Sequence, residues 1–320
     1  MNFPRLCDFD HKNKRVLVRC DFDVPLKDGV VENDSRIKEC LPTIKYLLEH
    51  SASVILMGHI GRPGGKVVEE LKMAPVREKL TQLLGSASFT LMENLRFDPG
   101  EESNDPEFAK KLASLGDFYV NEAFATSHRE HASIVGVPKL LPHAAGFHFA
   151  AEVENLTKAI KNPKKPLVLV IGGAKLETKL PFVLEFAKKA DFVLVGGTLI
   201  KKESQENPPN VLFATLTNDG FDIEEESIKK FSDIIKTAGT IIWSGPMGKY
   251  EEERWSAGTK EVAQAVAECP GFKLVGGGDT IVALKKFNLL DKMDYVSTGG
   301  GAMLEYLATG SLPGLKALTD

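Results

Sequence analysis

The chain has 320 residues, 43% hydrophobic and 26% charged, with a net charge of -4. That length exceeds a usual single core and points to two domains, and the weak negative balance offers no basic field for nucleic acid. Cys7, Cys20, Cys40 and Cys269 are scattered without metal or disulfide spacing, no apolar run is long enough to span a membrane, and Met1–Arg5 lacks the apolar core of a leader. A reduced cytoplasmic protein with no membrane partner is expected.

Along the first half, short apolar runs break into charge. Val16–Arg19 leads into Cys20-Asp21-Phe22-Asp23, and Val54–Met57 into Gly58-His59-Ile60-Gly61-Arg62. Leu91-Met92 leads into Glu93-Asn94-Leu95-Arg96, and Phe118–Val120 into Asn121-Glu122-Ala123 and on to His128-Arg129. Between them, Leu41, Ile44, Leu47 and Leu48 form a helical stripe after the N-cap candidate Asp34-Ser35, and Asn104–Leu115 opens with Pro106 and acids in a first turn. Glu152–Ile160 reads as a helix, followed by the proline-bearing break Lys161–Pro166. In the second half the runs end in glycine instead. Leu167–Ile171 stops at Gly172-Gly173, Phe192–Val195 at Gly196-Gly197, and Thr240–Trp243 at Ser244-Gly245-Pro246. Phe272–Val275 stops at Gly276-Gly277-Gly278, and Tyr295–Thr298 at Gly299-Gly300-Gly301. Glu177–Phe186 and Thr259–Glu268 are helical in pattern, and Glu203–Asn210 with its Pro208-Pro209 reads as an exposed loop.

Continuous apolar strands alternating with helices predict an α/β protein of two doubly wound, Rossmann-like parallel-sheet domains joined by a helical hinge. The expected limits are residues 1–148 for the first domain, 149–165 for the helix and linker, and 166–320 for the second, with a C-terminal tail that can return to the first. A monomer is the default.

Open parallel sheets bind ligands at the carboxyl ends of their strands. Arg36, Arg62, Arg96 and Arg129 fall at or just after four successive strand ends, with His59 and His128 alongside. A single such arginine is commonly a solvated charge, but four in equivalent βα units converge on one edge, and the guanidinium fork grips carboxylate or phosphate. Asp21 and Asp23 either orient these arginines or accept hydrogen bonds from substrate hydroxyls. A hydroxylated, phosphorylated acid suits both roles.

In the second half, Gly172-Gly173-Ala174-Lys175 precedes a helix, so glycine amides with Lys175 and Lys179 can meet an oxyanion, unless the motif is only a tight turn. Asp279, directly after the glycines Gly276–Gly278 and before Thr280, is poorly placed for an anion without Mg²⁺ between, and is the candidate metal ligand. Gly299 and Gly300 are either a second nest or close strand–helix packing. The chain has neither G-x-x-x-x-G-K-[ST] nor G-x-G-x-x-G, which argues against a P-loop enzyme and weakens a nicotinamide-dehydrogenase reading.

These residues resemble the phosphoglycerate kinase family along nearly the whole chain. The resemblance is carried by Arg19–Pro25, Gly58–Pro63, Glu93–Phe97, His128–Ser133, Gly172–Lys175, Trp243–Gly248, Gly276–Thr280 and Ser297–Ala302. It implies reversible phosphoryl transfer between 1,3-bisphosphoglycerate and Mg-ADP, giving 3-phosphoglycerate and Mg-ATP. By motif, Asp21, Asp23, Arg36, His59, Arg62, Arg96 and Arg129 would hold the triose acid, and Arg36 with Lys175 the transferring phosphoryl group. Gly173, Lys179, Gly276, Gly277, Gly278, Thr280, Gly299 and Gly300 would face the nucleotide. Gly196 and Gly197 would line the adenine pocket, Glu251 would meet the ribose, and Asp279 the Mg²⁺.

The chain departs from the family pattern in several places. It is several dozen residues short, with gaps near Gly85–Phe89 and after Gly197. Asp23 replaces Asn, Glu122 replaces Asp, Thr178 stands between the two lysines, Thr198 replaces a third glycine, Ser244 replaces Asn, and Asp222-Ile223 is all that remains of an Asp-Ile-Gly-Pro motif. The alternative these departures raise is a non-catalytic relative serving as a nucleotide- or anion-binding sensor or interaction module.

Overall fold

A computed structural model describes residues 3–173, 176–197 and 208–319, with backbone alone at 176–178 and 180. The chain divides into two compact units, 1–153 with 311–320 and 154–310.

The first unit contains β1 (Arg15–Arg19), a hairpin of β2 (Leu26–Lys27) and β3 (Val30–Val31), α1 (Ser35–Glu49) and β4 (Ser53–Met57). Then come α2 (Ala74–Leu84), β5 (Thr90–Leu91), α3 (Pro99–Glu102), α4 (Pro106–Ala113), β6 (Phe118–Asn121), β7 (His143–Ala145) and the start of α5 (Phe147–Lys161). The main sheet has the order β5-β4-β1-β6-β7 and is parallel throughout. From β1 the chain winds outward through β4 and β5, then reverses to β6 on the other side of β1. That reversal opens a crevice at the carboxyl ends of β1, β4 and β6, the ligand position of doubly wound folds. Asp105 caps α4 by accepting the Phe108 amide proton at 2.8 Å, with Pro106 in the first turn as the sequence suggests.

In the second unit, β8 (Leu167–Ile171), α6 (Leu176–Ala187), β9 (Phe192–Val195), β10 (Val211–Phe213), α7 (Glu225–Ile235) and β11 (Thr240–Ser244) come first. They are followed by α8 (Ala257–Glu268), β12 (Phe272–Gly276), α9 (Gly278–Lys286), β13 (Tyr295–Ser297) and α10 (Gly300–Thr309). The parallel order is β10-β9-β8-β11-β12-β13, so this sheet also reverses beside its first strand, between β8 and β11. Its core holds Val170, Leu194, Ile241, Trp243, Val275 and Leu284. The last helix, α11 (Pro313–Lys316), belongs to the first unit, where the Gly314 amide donates to the Ser127 carbonyl at 2.9 Å. A Cβ on Gly314 would meet Ser127 Oγ at 2.7 Å, so the tail needs glycine to lie that close.

Both shortened regions end in short edge strands. In the first unit β5 keeps two residues and still completes a five-stranded sheet, pairing Ile55 with Thr90 and Leu56 with Leu91. In the second, β10 pairs directly with β9, and of Glu203–Asn210 only residues 208–210 are described. Lys175, Thr198 and the side chain of Thr178 lie outside the described residues.

Helix α5 starts at Phe147, five residues before the charge pattern suggests. Its first turn is held from outside the helix. Buried Glu122 accepts the Thr43 hydroxyl at 2.6 Å, the His148 amide at 3.1 Å and the Phe149 amide at 3.2 Å. Burial pushes the Glu122 carboxyl up to about 7. Beside it, the His148 ring lies 3.3 Å from Glu39 and 3.6 Å from Glu152. Burial opposes charge on that imidazole, but Glu39, Glu152 and Glu122 together raise it to about 9.

A pH dependence follows. An unfolded histidine titrates near 6.5, so the His148 contribution is complete below that pH and is lost as pH rises through about 9. Thermal unfolding of the native chain should therefore fall between pH 6.5 and 9.5 relative to His148→Leu, by the equivalent of a few kcal/mol at most. Parallel curves for the two proteins would remove His148 from the pH response.

Candidate active site

In the first unit the site is built on an arginine at the end of a buried strand. Arg19 closes β1 and is fully buried. Its guanidinium donates to Ser133 Oγ at 2.8 Å and to the Cys20 carbonyl, reaches His59 Nδ1 at 3.0 Å, and lies 3.8 Å from Glu101. Glu101 is also fully buried and accepts from the Ser133 amide at 2.9 Å and its hydroxyl at 2.6 Å. An arginine has only donors, so His59 must offer a lone pair at Nδ1 and carry its proton on Nε2. Burial, followed by the charges of Arg19 and Arg96, holds His59 well below its ordinary pKa, which leaves it neutral.

Around this base the charged residues gather. Arg36, at the start of α1, donates to Asp21 at 3.3 Å and to the Asp23 carbonyl at 3.1 Å, with carboxylate oxygens of the two acids at 3.2 and 3.9 Å. Asp23 in turn accepts the Gly61 amide at 2.8 Å and lies 3.9 Å from His59 Nε2. The extra carboxylate at Asp23 is thus matched by an arginine and a backbone donor. Arg96 is buried, donates to the Gly61 carbonyl at 2.7 Å and pairs with Glu102 at 3.3 Å. Asn94 fixes that loop by donating to the carbonyls of Ile60 and Leu71 at 2.8 and 2.9 Å.

The arginines gathered here are interleaved with the carboxylates of Asp21, Asp23, Glu101 and Glu102. Burial lowers His131 to about 3, helped by Arg96, Arg19 and Arg129, and His128 is lowered by burial and by Arg129. His128 Nδ1 has no hydrogen-bond partner, while Arg96 Nε faces Glu102 at 3.3 Å and His131 Nδ1 faces Glu101 at 3.7 Å, each at ion-pair distance without a hydrogen bond. Buried polar atoms left in this way cost free energy, and the arginines and neutral imidazoles offer N–H donors to an anion. The structure thus brings together Asp21, Asp23, Arg36, His59, Arg96 and Arg129. Arg62 stands exposed on the loop after β4. Arg19, Glu101, Ser133 and His131 were not candidates from sequence. Arg19 carried a signal, a charge closing the apolar run Val16–Val18; Glu101, in an acidic turn, carried none.

The second unit corrects one expectation. Its glycines are not simply open amides awaiting phosphate. Gly172 donates to the Ser244 carbonyl at 2.9 Å, Gly173 to Pro246 at 2.8 Å, Gly196 to Ile171 at 2.9 Å and Gly299 to Ser297 Oγ at 3.2 Å. Glycine is needed there for close approach: a Cβ on Gly172 would meet the Pro246 carbonyl at 2.1 Å, and one on Gly196 the Met247 sulfur at 2.5 Å. Gly300 likewise lies close to Gly277, where a Cβ would meet the Gly277 Cα at 3.3 Å. Among the described residues, the first turn of α9 offers an anion position, where Gly277 at φ +96° admits the turn and helix amides lack intrahelical partners.

Thr280 anchors this turn by accepting the Gly245 amide at 2.7 Å. Lys179 donates to the Gly172 carbonyl at 2.5 Å, and burial lowers its ammonium while Asp279 opposes that. Gly173, Gly197, Glu251 and Asp279 line one pocket of about 260 Å³. Lys286 holds its rim, donating to the carbonyls of Tyr250 at 2.7 Å and Glu251 at 3.2 Å. The Asp222 carboxylate is taken up elsewhere, accepting the amide of Ile223 and that of Gly258 in the first turn of α8, both at 2.9 Å.

The model of the phosphoglycerate kinase family matches residues 6–90, 85–205 and 201–310. The chain belongs to that family. A phosphoglycerate kinase of Roseiflexus sp. (strain RS-1) is 39% identical over 387 aligned positions that cover 98% of each protein. One of Moorella thermoacetica is also 39% identical with the same coverage. With 320 residues, this chain fills those alignments only with gaps. Among solved structures, phosphoglycerate kinase from Coxiella burnetii superposes with a TM-score of 0.86 at 36% identity, covering 99% of both chains. The enzyme from Pyrococcus horikoshii OT3 gives 0.85 at 30% identity and 98% coverage.

Proposed function

We propose that this chain transfers a phosphoryl group reversibly between 1,3-bisphosphoglycerate and ADP, giving 3-phosphoglycerate and ATP. The observation that carries the reading is the cluster of arginines and neutral histidines built on Arg19 at the switch point of the first sheet. Family membership supplies the reaction. A binding-only relative is not favoured, because the arginine set is assembled despite the shortened segments.

In this reading Arg36, Arg96, Arg129, Arg62 and His59 hold the carboxylate and phosphate of the triose, and Asp21 and Asp23 orient Arg36 and the loop after β4. Lys179 and the first turn of α9 meet the nucleotide phosphates, Gly196 and Gly197 border the base, Glu251 meets the ribose, and Lys175 joins Arg36 on the transferring group. An anionic oxygen of the ADP β-phosphate attacks phosphorus in line as the bond to the acyl oxygen breaks, so no general base is required. The protein's work is positioning and neutralising charge on the equatorial oxygens, with hinge closure excluding water from the acyl phosphate.

Among the described residues no three His, Cys, Asp or Glu side chains gather as a metal site. Exposed Asp279 alone fits Mg²⁺, an ion that keeps water and phosphate oxygens as most of its ligands. Asp279 would hold it, and it would neutralise phosphate charge. We place the protein in the cytoplasm as a monomer.

The test is turnover of 3-phosphoglycerate and Mg-ATP, coupled to NADH oxidation through glyceraldehyde-3-phosphate dehydrogenase. Turnover establishes the reaction; a folded protein that binds ligands without turnover overturns it. Asp279→Ala should raise the Mg²⁺ needed for half-maximal rate and the KM for ATP together, each by about tenfold or more. A normal Mg²⁺ dependence in that variant would place the metal elsewhere.

A further inference from the structure

The two carboxylate oxygens of Asp23 have different neighbours. Oδ1 accepts the Gly61 amide at 2.8 Å and so fixes the loop after β4. Oδ2 lies 3.9 Å from Arg36 Nη1 and 3.9 Å from His59 Nε2, between a guanidinium and the ring nitrogen that carries the imidazole proton. Both distances exceed a hydrogen bond, so what Oδ2 brings to that position is charge. Arg36 does not depend on this charge for its place. It donates to Asp21 Oδ1 at 3.3 Å, pairs with Asp21 Oδ2 at 3.2 Å, and donates to the Asp23 backbone carbonyl at 3.1 Å. The Asp23 side chain is 42% exposed, within reach of a ligand that approaches Arg36.

We propose that Asp23 sets the affinity of the triose site: Oδ2 stands at an anion position that an oxygen of 3-phosphoglycerate must take from it, so the aspartate holds binding below what Arg36 and His59 alone would give. The inference rests on the reading that this unit binds the triose acid. Two anions drawn to the same donors repel, and partial exposure screens that repulsion without abolishing it. Asparagine at this position changes little else. Its Oδ1 still accepts the Gly61 amide, its backbone carbonyl still meets Arg36, and its Nδ2 presents N–H groups where the charge stood. Arg36, His59 and the new amide would then converge on the ligand as donors.

The test is isothermal titration of the full chain, of Asp23→Asn and of Asp23→Glu with 3-phosphoglycerate and, separately, with Mg-ADP. Asp23→Asn should bind 3-phosphoglycerate about 3- to 30-fold more tightly than the native chain, and Mg-ADP equally. Asp23→Glu keeps the charge and should show no gain. The asparagine variant retains each hydrogen bond of residue 23, and its unchanged Mg-ADP binding shows that it is folded. Binding of 3-phosphoglycerate by Asp23→Asn that is equal to or weaker than native would overturn the proposal and leave the kinase reading standing. So would an equal gain in Asp23→Glu or a parallel gain for Mg-ADP. Absence of 3-phosphoglycerate binding by the native chain and by Asp23→Asn alike would remove the triose reading and the proposal with it.

Discussion

Replacing Arg36 by Ala should lower kcat in the coupled assay by about 10³-fold or more while the KM for ATP changes by no more than about threefold. Arg36 is only partly exposed and is held before substrate arrives, by Asp21 at 3.2 Å and the Asp23 carbonyl at 3.1 Å. A side chain fixed in this way need not give up its freedom as charge spreads over the transferring group, so its stabilisation is concentrated in the transition state. Arg36→Lys keeps the charge and loses the planar fork, and should recover only part of the rate. An unchanged kcat in the alanine variant would take Arg36 out of the mechanism. A fall in kcat matched by an equal rise in the KM for ATP would mean that it serves ground-state binding instead.

Arg19→Met is expected to be the most damaging substitution for stability. Arg19 and Glu101 are both fully buried, and the arginine also satisfies Ser133, the Cys20 carbonyl and His59. Removing it strips the buried Glu101 carboxylate of its guanidinium and leaves the His131 imidazole, at 3.7 Å, beside it. Breaking such a pair costs about 3–5 kcal/mol, or roughly 10 °C in the melting of a unit this size. Replacing both partners by apolar residues of similar volume, as in Arg19→Met with Glu101→Leu, should restore much of that loss, because no charge is then stranded. Calorimetric melting of the single and double variants checks both statements. A single variant that melts with the native chain would show the pair to be dispensable.

Much of this arrangement was legible in the chain. Leu167–Ile171 and Phe192–Val195 are strands at their expected limits, because an unbroken apolar run ended by two glycines admits little else. The charges ending β1, β4 and β6 were also legible as a site, since strand polarity sends every such end to one edge. Three kinds of feature were not. The strands His143–Ala145 and Val211–Phe213 are three residues long and take their identity from the neighbour they pair with. The start of α5 is fixed by Glu122 and Thr43 rather than by a local cap. The Gly-Gly motifs read as phosphate nests, but most of those amides are used within the fold.

The sequence by itself determined the two-domain α/β plan, the parallel strands and the gathering of arginine and histidine at one sheet edge of the first unit. These depend on periodicity and on charge at strand ends, which are local properties. Tertiary structure alone decided that Arg19, joined to Ser133 across 114 residues of sequence, is the base of that site. It also decided that Asp23 meets Gly61, 38 residues further on, and so holds the loop after β4. Such contacts form where the sheet reverses or two loops meet, and no spacing along the chain encodes which buried donor will find which acceptor there.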